Sequence, residues 1–148
     1  MNLSTFERAQ LAGFAYKAAR QTGSLDCMKA ICYVLRNRLK AGWGERSWLY
    51  LIEHAESVDG NQFFEFTQKL DGKENLFDPQ ARLLQLLVRD VDDIYMGTSE
   101  DDTKAVVQDA LYYQFIDQPP NPWFVEHIVR DAENHPRVAQ VGPIALFR

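Results

Sequence analysis

The sequence predicts a mainly α domain of the α+β class, with helices first and a small antiparallel sheet near the C-terminus. Two observations support this fold class. Apolar residues repeat every three or four positions through two long segments, which is typical of amphipathic helices. After Asp109 the pattern changes to short runs rich in aromatic and branched residues, which favour strands. With 148 residues, 46% of them hydrophobic, the chain is long enough to form one domain, residues 1–148, with its own core.

The first part of the chain predicts three helices. A capping-box sequence at Ser4 begins the first, which we expect from Thr5 to Gln21. Ser24 caps the second, which ends near Ala41 and is the most clearly amphipathic of the three. A shorter third helix is predicted from Ser47 to Ala55.

The middle of the chain combines an irregular segment with a long helix. Glu56 to Phe77 lacks an apolar period and contains scattered Gly and Asn residues, so we predict a long surface loop. Asp78, followed by proline, predicts the start of a helix that continues to Gly97 and forms the centre of the domain. The acidic stretch from Glu100 to Asp102 is expected to be a solvated turn.

The last third of the chain predicts the sheet. Strands are expected from Ala110 to Ile116 and from Pro143 to Phe147, with Val138 to Val141 as a further strand. Between them, Asn121 and the proline after it predict the start of a short helix, which covers Trp123 to Asp131.

Charge and hydropathy exclude several classes of partner. The formal net charge of −5 gives no support to binding of nucleic acid or anionic lipid. No run of about eighteen apolar residues occurs, so we expect no membrane insertion. Met1 to Ala12 carries charged residues where a signal peptide needs an apolar stretch. We therefore expect a cytoplasmic protein, unless the chain is an excised domain or a delivered product.

Common catalytic centres are not predicted either. The three histidines are far apart in sequence and no paired-cysteine motif occurs, so we expect no metal or other cofactor. Cys27 and Cys32 are predicted to be buried, inert thiols. The triplet Arg36-Asn37-Arg38 could bind phosphate, but we interpret its arginines as complements of the helix dipole and Asn37 as a hydrogen-bonding residue at the helix end.

Motifs along nearly the whole chain resemble one known family. Tyr16-Lys17-Ala18-Ala19-Arg20, followed by the Arg36-Asn37-Arg38 helix end, is similar to the opening of the spore-cortex-lytic, cell-wall-hydrolase family. In that family a Tyr-Gly-Glu-Ala-Arg-like segment precedes a helix that ends in Asn-Arg. Further similar segments follow in the family's order: Gly60 to Phe63, Met96-Gly97 with Asp101 to Thr103, Ala110 to Tyr113, Pro122-Trp123 and Val141 to Phe147.

The resemblance implies a lysozyme-like domain that acts on the glycan strands of peptidoglycan. Family members that are lytic transglycosylases use one glutamate as general acid and then base, with the muramyl 6-hydroxyl as the internal nucleophile. Ala18 stands at the position of that glutamate, or Ala19 does if the alignment shifts by one residue. Neither side chain can transfer a proton, so no catalytic residue is assigned.

The resemblance also implies a glycan-binding cleft, because flat aromatic rings stack on the apolar faces of sugars. The candidate cleft residues are Tyr16, Gln62, Phe63, Tyr112, Tyr113 and Trp123. Three carboxylates could replace the missing acid, namely Glu7, Asp26 and Glu65, but we interpret each as a capping or solvated group.

Three functions are therefore open at this point. The chain is a degenerate family member that binds peptidoglycan glycan strands or another protein, or an active glycan-cleaving enzyme with a relocated acid. The third hypothesis is an intracellular protein that reuses the fold for an unrelated partner.

Overall fold

The computed structural model describes residues 4–43, 79–119 and 121–148. Within these ranges the protein is mainly helical, with a three-stranded antiparallel sheet near the C-terminus, which confirms the predicted fold class. The helix predicted from Ser47 to Ala55 and the loop predicted from Glu56 to Phe77 lie outside the described residues.

Helix α1 spans Thr5–Ala19 and begins with the predicted capping box. The Ser4 hydroxyl accepts a hydrogen bond from the Glu7 amide, and the Glu7 carboxylate accepts one from the Ser4 amide, both at 3.1 Å. The helix ends two residues before the predicted Gln21, because Arg20–Thr22 tighten into a 3-10 turn. Gly23 closes this turn in the left-handed region, at a φ of 61°.

Helix α2 spans Leu25–Lys40, close to its predicted bounds, and helix α3 spans Pro79–Met96. The Ser24 side chain caps α2 by accepting a hydrogen bond from the Cys27 amide. Helices α2 and α3 pack against each other, and α1 packs against both. Their apolar faces supply most of the main core, whose largest fully buried apolar side chains from these helices are Leu11, Phe14, Tyr16, Met28, Ile31, Leu35, Leu87 and Ile94.

The prediction of a solvated turn from Glu100 to Asp102 is wrong at Asp101. This residue is the N-cap of a short helix, α4 (Asp102–Val107), and its Oδ1 accepts a hydrogen bond from the Lys104 amide at 2.9 Å. Its Oδ2 accepts hydrogen bonds from Lys29 and Tyr33 of α2. A six-residue helix is too short for an apolar period to indicate it, so the acidic residues dominated the sequence pattern.

The sheet in the described part of the chain contains β1 (Tyr112–Phe115), β2 (Arg137–Val141) and β3 (Ile144–Phe147), in the order β1-β3-β2. The central strand, β3, is buried along its whole length. Alternate residues point to opposite faces of a strand, so Ile144 and Leu146 join the main core. Ala145 and Phe147 pack on the other face in a small second cluster.

A helical segment covers that second face. Asn121 caps α5 (Pro122–Phe124) by accepting a hydrogen bond from the Trp123 amide, and the chain continues as a π-helical turn over Val125–Val129. The Arg130 amide closes this wider turn on the Val125 carbonyl at 3.0 Å. Phe124 and Ile128 point inward and complete the second cluster. The predicted helix from Trp123 to Asp131 is thus present as helical turns that end at Val129.

Candidate functional site

Ala18, which the sequence resemblance aligns with the acid of the cell-wall hydrolases, lies near the end of α1 and is half-buried. Its methyl group packs against the main core, and its carbonyl oxygen lies 3.4 Å from the Gln21 side-chain nitrogen. Ala19, the alternative position, is fully buried. Neither residue brings a group that can exchange a proton to this end of the helix.

Of the carboxylates considered as replacements for the missing acid, one lies far from Ala18 and another accepts a hydrogen bond from a threonine. Glu7 belongs to the capping box at the start of α1, roughly 16 Å along the helix axis from Ala18. Asp26 is exposed in the first turn of α2 and accepts a hydrogen bond from the Thr103 hydroxyl at 3.2 Å. Glu65 lies outside the described residues.

Two of the candidate cleft residues lie in the main core. Tyr16 has none of its surface exposed, and Tyr113 has 1%. A ring without exposed surface contributes to packing and has no face available for a sugar. Tyr16 and Tyr113 are therefore packing residues of the main core. Gln62 and Phe63 lie outside the described residues.

Tyr112 and Trp123 lie on the opposite side of the sheet from Tyr113. Tyr112 pairs with Phe147 across the strands and therefore points to the second cluster. Its ring centroid lies 5.1 Å from that of His135 and 6.2 Å from that of Phe124, the neighbour of Trp123 in the chain. Trp123 is 43% exposed, and its ring centroid lies 5.0 Å from that of His127.

The buried guanidinium of Arg38 contacts aromatic rings of this region, including that of Tyr112. Its side chain is 1% exposed, and its Nε donates a hydrogen bond to the Leu111 carbonyl at 2.7 Å. The guanidinium carbon lies 5.1 Å from the ring centroid of Trp43 and 5.9 Å from that of Tyr112, which are distances of cation–π contacts. A buried charge held between rings fixes their positions, so Arg38 is a structural residue of the site.

The neighbouring residues of the triplet also bind carbonyl groups of other segments. Arg36 Nε donates to the Tyr95 carbonyl at 2.7 Å. The Asn37 amide nitrogen donates to the carbonyls of Gln108 and Ala110, each at 2.9 Å. The hydrogen-bonding role predicted for Asn37 is therefore confirmed, but the contacts join α2 to more distant parts of the fold.

The burial of the two cysteines does not favour a role as nucleophiles. Cys27 and Cys32 are both buried, as predicted, and both are free. Burial raises the pKa of the Cys32 thiol to about 12, so the reactive thiolate is scarce at neutral pH. Among the described residues, no three His, Cys, Asp or Glu side chains are grouped in a way that could hold a metal ion.

No helix in the described ranges is long and apolar enough to cross a membrane. Comparison with known proteins gives no match to a family model, to a curated protein or to a solved structure.

Proposed function

We propose that this protein is a catalytically degenerate, lysozyme-like member of the cell-wall-hydrolase family that binds the glycan strands of peptidoglycan. The observation that carries the proposal is Ala18, a methyl side chain at the position where the family places its acid. General acid catalysis needs a proton donor within hydrogen-bonding reach of the leaving oxygen. Glu7 belongs to the capping box, and Asp26 accepts a hydrogen bond from the Thr103 hydroxyl. These structural roles support the loss of that donor.

Binding without cleavage needs a surface, and the helical segment that covers the second face of the sheet carries exposed rings that provide one. We call Tyr112, Trp123 and His127 the outer aromatic surface. Trp123 is exposed while its neighbour Phe124 is buried at 1% exposure, so the indole sits on a firmly anchored turn. A rigid, partly exposed ring binds the apolar face of a pyranose with little loss of conformational entropy.

The charge of the protein is also compatible with a glycan strand. Trp123 lies on the helical turn that covers the sheet, and Tyr112 of β1 packs against Phe124 of that turn. Contacts with uncharged sugar rings do not require a basic surface, so they are compatible with the net charge of −5.

Co-sedimentation with purified, insoluble peptidoglycan tests the proposal. We expect the unmodified protein to sediment with the polymer, and Trp123→Ala to weaken binding several-fold because a stacking ring is lost. Phe6→Ala is the matched control, because Phe6 is an exposed aromatic residue (60%) at the start of α1, outside the outer aromatic surface. Absence of sedimentation, or equal effects of the two substitutions, would contradict the proposed function.

A further inference from the structure

A concave region lies on the helical side of the molecule, between the C-terminal half of α2, the end of α3 and the segment 108–111. Its volume is about 530 Å³, within the range of roughly 300 to 1,000 Å³ that is typical of small-molecule sites. Arg36, Asn37, Lys40 and Lys104 are the polar residues that matter for its chemistry. Ile94 and Leu111 contribute apolar wall. We call this region the basic pocket.

Arg36 is held in place while part of its guanidinium stays available. Its Nε is committed to the Tyr95 carbonyl at 2.7 Å. Gly97 makes room for the head group, since a Cβ on Gly97 would lie 3.2 Å from Nη2 of Arg36. Within the described part of the chain, the two terminal nitrogens have no hydrogen-bond acceptor, so they can bind an oxyanion with two parallel hydrogen bonds.

Two lysines add positive charge around this fork. Lys40 is exposed and forms no ion pair with any described residue. Lys104 Nζ lies 3.4 Å from the Gly97 carbonyl and 3.5 Å from the carboxylate of Glu100, whose side chain is 85% exposed. An ion pair with so exposed a partner is weak, so Lys104 can exchange it for a bound anion.

Asp109 is the carboxylate among the residues that line the pocket, and one carboxylate offsets only part of the charge of three cations. Its Oδ1 accepts a hydrogen bond from Arg148 Nε at 2.8 Å, and this contact holds the pKa of Asp109 below its ordinary value. The Asp109 side chain is 70% exposed, so this ion pair is weak. Three cationic side chains converge here in a protein with a net charge of −5, although their mutual repulsion opposes folding.

We infer that the basic pocket binds a small organic anion, of sugar size, through a carboxylate or phosphate group. The terminal nitrogens of Arg36 bind the oxyanion, and Lys40 and Lys104 supply further charge. The Asn37 side chain donates both of its amide hydrogens to backbone carbonyls, so only its Oδ1 is left, to accept a hydrogen bond from a ligand hydroxyl. Ile94 and Leu111 cover the body of the ligand. The phosphate interpretation that the triplet suggested therefore applies to Arg36, while Asn37 and Arg38 hold the fold. This inference does not depend on the glycan proposal.

Calorimetric titration with three probes of one carbon skeleton tests the site. Glucose 6-phosphate and glucuronate carry the two oxyanions, and glucose is the neutral control. We expect saturable binding of at least one anion and none of glucose, and the preferred anion then identifies the head group. Arg36→Gln should weaken anion binding about tenfold or more, because a charged hydrogen-bonding fork is lost.

Lys40→Gln keeps the test decisive even if the Arg36 variant folds poorly, since Lys40 is exposed and unpaired in the described structure. We expect a few-fold loss of affinity from it. Arg130→Gln removes the same charge from an exposed position outside the pocket and should leave affinity unchanged. Failure of both anions to saturate, equal binding of glucose, or equal effects of the Lys40 and Arg130 substitutions would overturn the inference.

Discussion

The Nζ of Lys29 on α2 lies 3.0 Å from Oδ2 of Asp101, the residue that caps α4. The Tyr33 hydroxyl donates to the same oxygen at 2.9 Å. Burial opposes the negative charge, but hydrogen bonds from the Lys104 amide, Lys29 and Tyr33 outweigh it, so the pKa of Asp101 lies below its ordinary value. One ionised carboxylate therefore joins α4 to α2.

Replacement of this carboxylate should reduce stability in a pH-dependent way. Asp101→Asn keeps a capping side chain but removes the charge, and we expect a loss of about 1 to 3 kcal/mol at neutral pH. A lowered pKa in the folded state gives stability that is present above the unfolded value of about 3.9 and is lost as the pH falls through the folded value. Urea unfolding of both proteins at neutral and acidic pH should show the difference shrinking in acid.

Asp102→Asn is the matched control for that experiment. Asp102 is adjacent but exposed, so its replacement should cost only a few tenths of a kcal/mol up to about 1 kcal/mol, from the helix dipole. A difference between wild type and Asp101→Asn that does not change with pH would contradict the role of the charge.

The buried stripe of α2 gives a second prediction. Leu35 is fully buried, so Leu35→Ala should cost about 2 to 5 kcal/mol through lost burial and the cavity that remains. Lys40→Ala, at an exposed position on the same helix, should be nearly neutral. Denaturant unfolding measures both, and equal losses would show that the helix face is assigned wrongly.

Gly142 lies at the turn between β2 and β3 and should not tolerate a side chain. Its φ is 52°, and a Cβ there would lie 3.0 Å from the sulfur of Cys27 in the core. Gly23 has a similar φ of 61°, but a Cβ there would have no atom within 4 Å. Substitution of Gly23 therefore measures the cost of the backbone conformation alone. We expect Gly23→Ala to cost about 1 to 2 kcal/mol, and Gly142→Ala to cost roughly 1 kcal/mol more.

Thermal unfolding of the two glycine variants measures this difference. A Gly142→Ala protein as stable as Gly23→Ala would mean that the turn is not packed against Cys27.

Local patterns were sufficient to predict the main elements of the fold. The capping box at Ser4 and the cap at Ser24 fixed two helix starts, because capping depends on residues only three positions apart. Branched and aromatic runs located the strands to within a few residues. Short helix α4 was beyond such patterns, because it is too short to show a repeat. The sequence predicted helix at Val125–Val129 but did not indicate its π-helical geometry.

The arrangement of the candidate sites required the fold. Tyr112 and Tyr113 are neighbours in sequence, yet the pleat of β1 sends one to the second cluster and the other to the main core. Arg36 and Lys104 line the same pocket although many residues separate them in the chain. A basic pair at a helix end was visible in the sequence, but its convergence with Lys104 depends on how α4 docks on α2.

The central claim is that the chain binds glycan strands without cleaving them. General acid catalysis is worth about 10² to 10⁴ in rate, and under the proposed function the methyl group of Ala18 stands where the family has that acid. Ala18→Glu is the informative variant, because appearance of cleavage there would show that the rest of the site is intact.

Release of soluble muropeptides from purified peptidoglycan, followed by liquid chromatography, tests this claim most directly. The account predicts no release by the unmodified protein, under conditions in which the same protein sediments with the polymer. Clear release by the unmodified protein would contradict it, and substitution of Asp26 and Glu65 would then locate the acid.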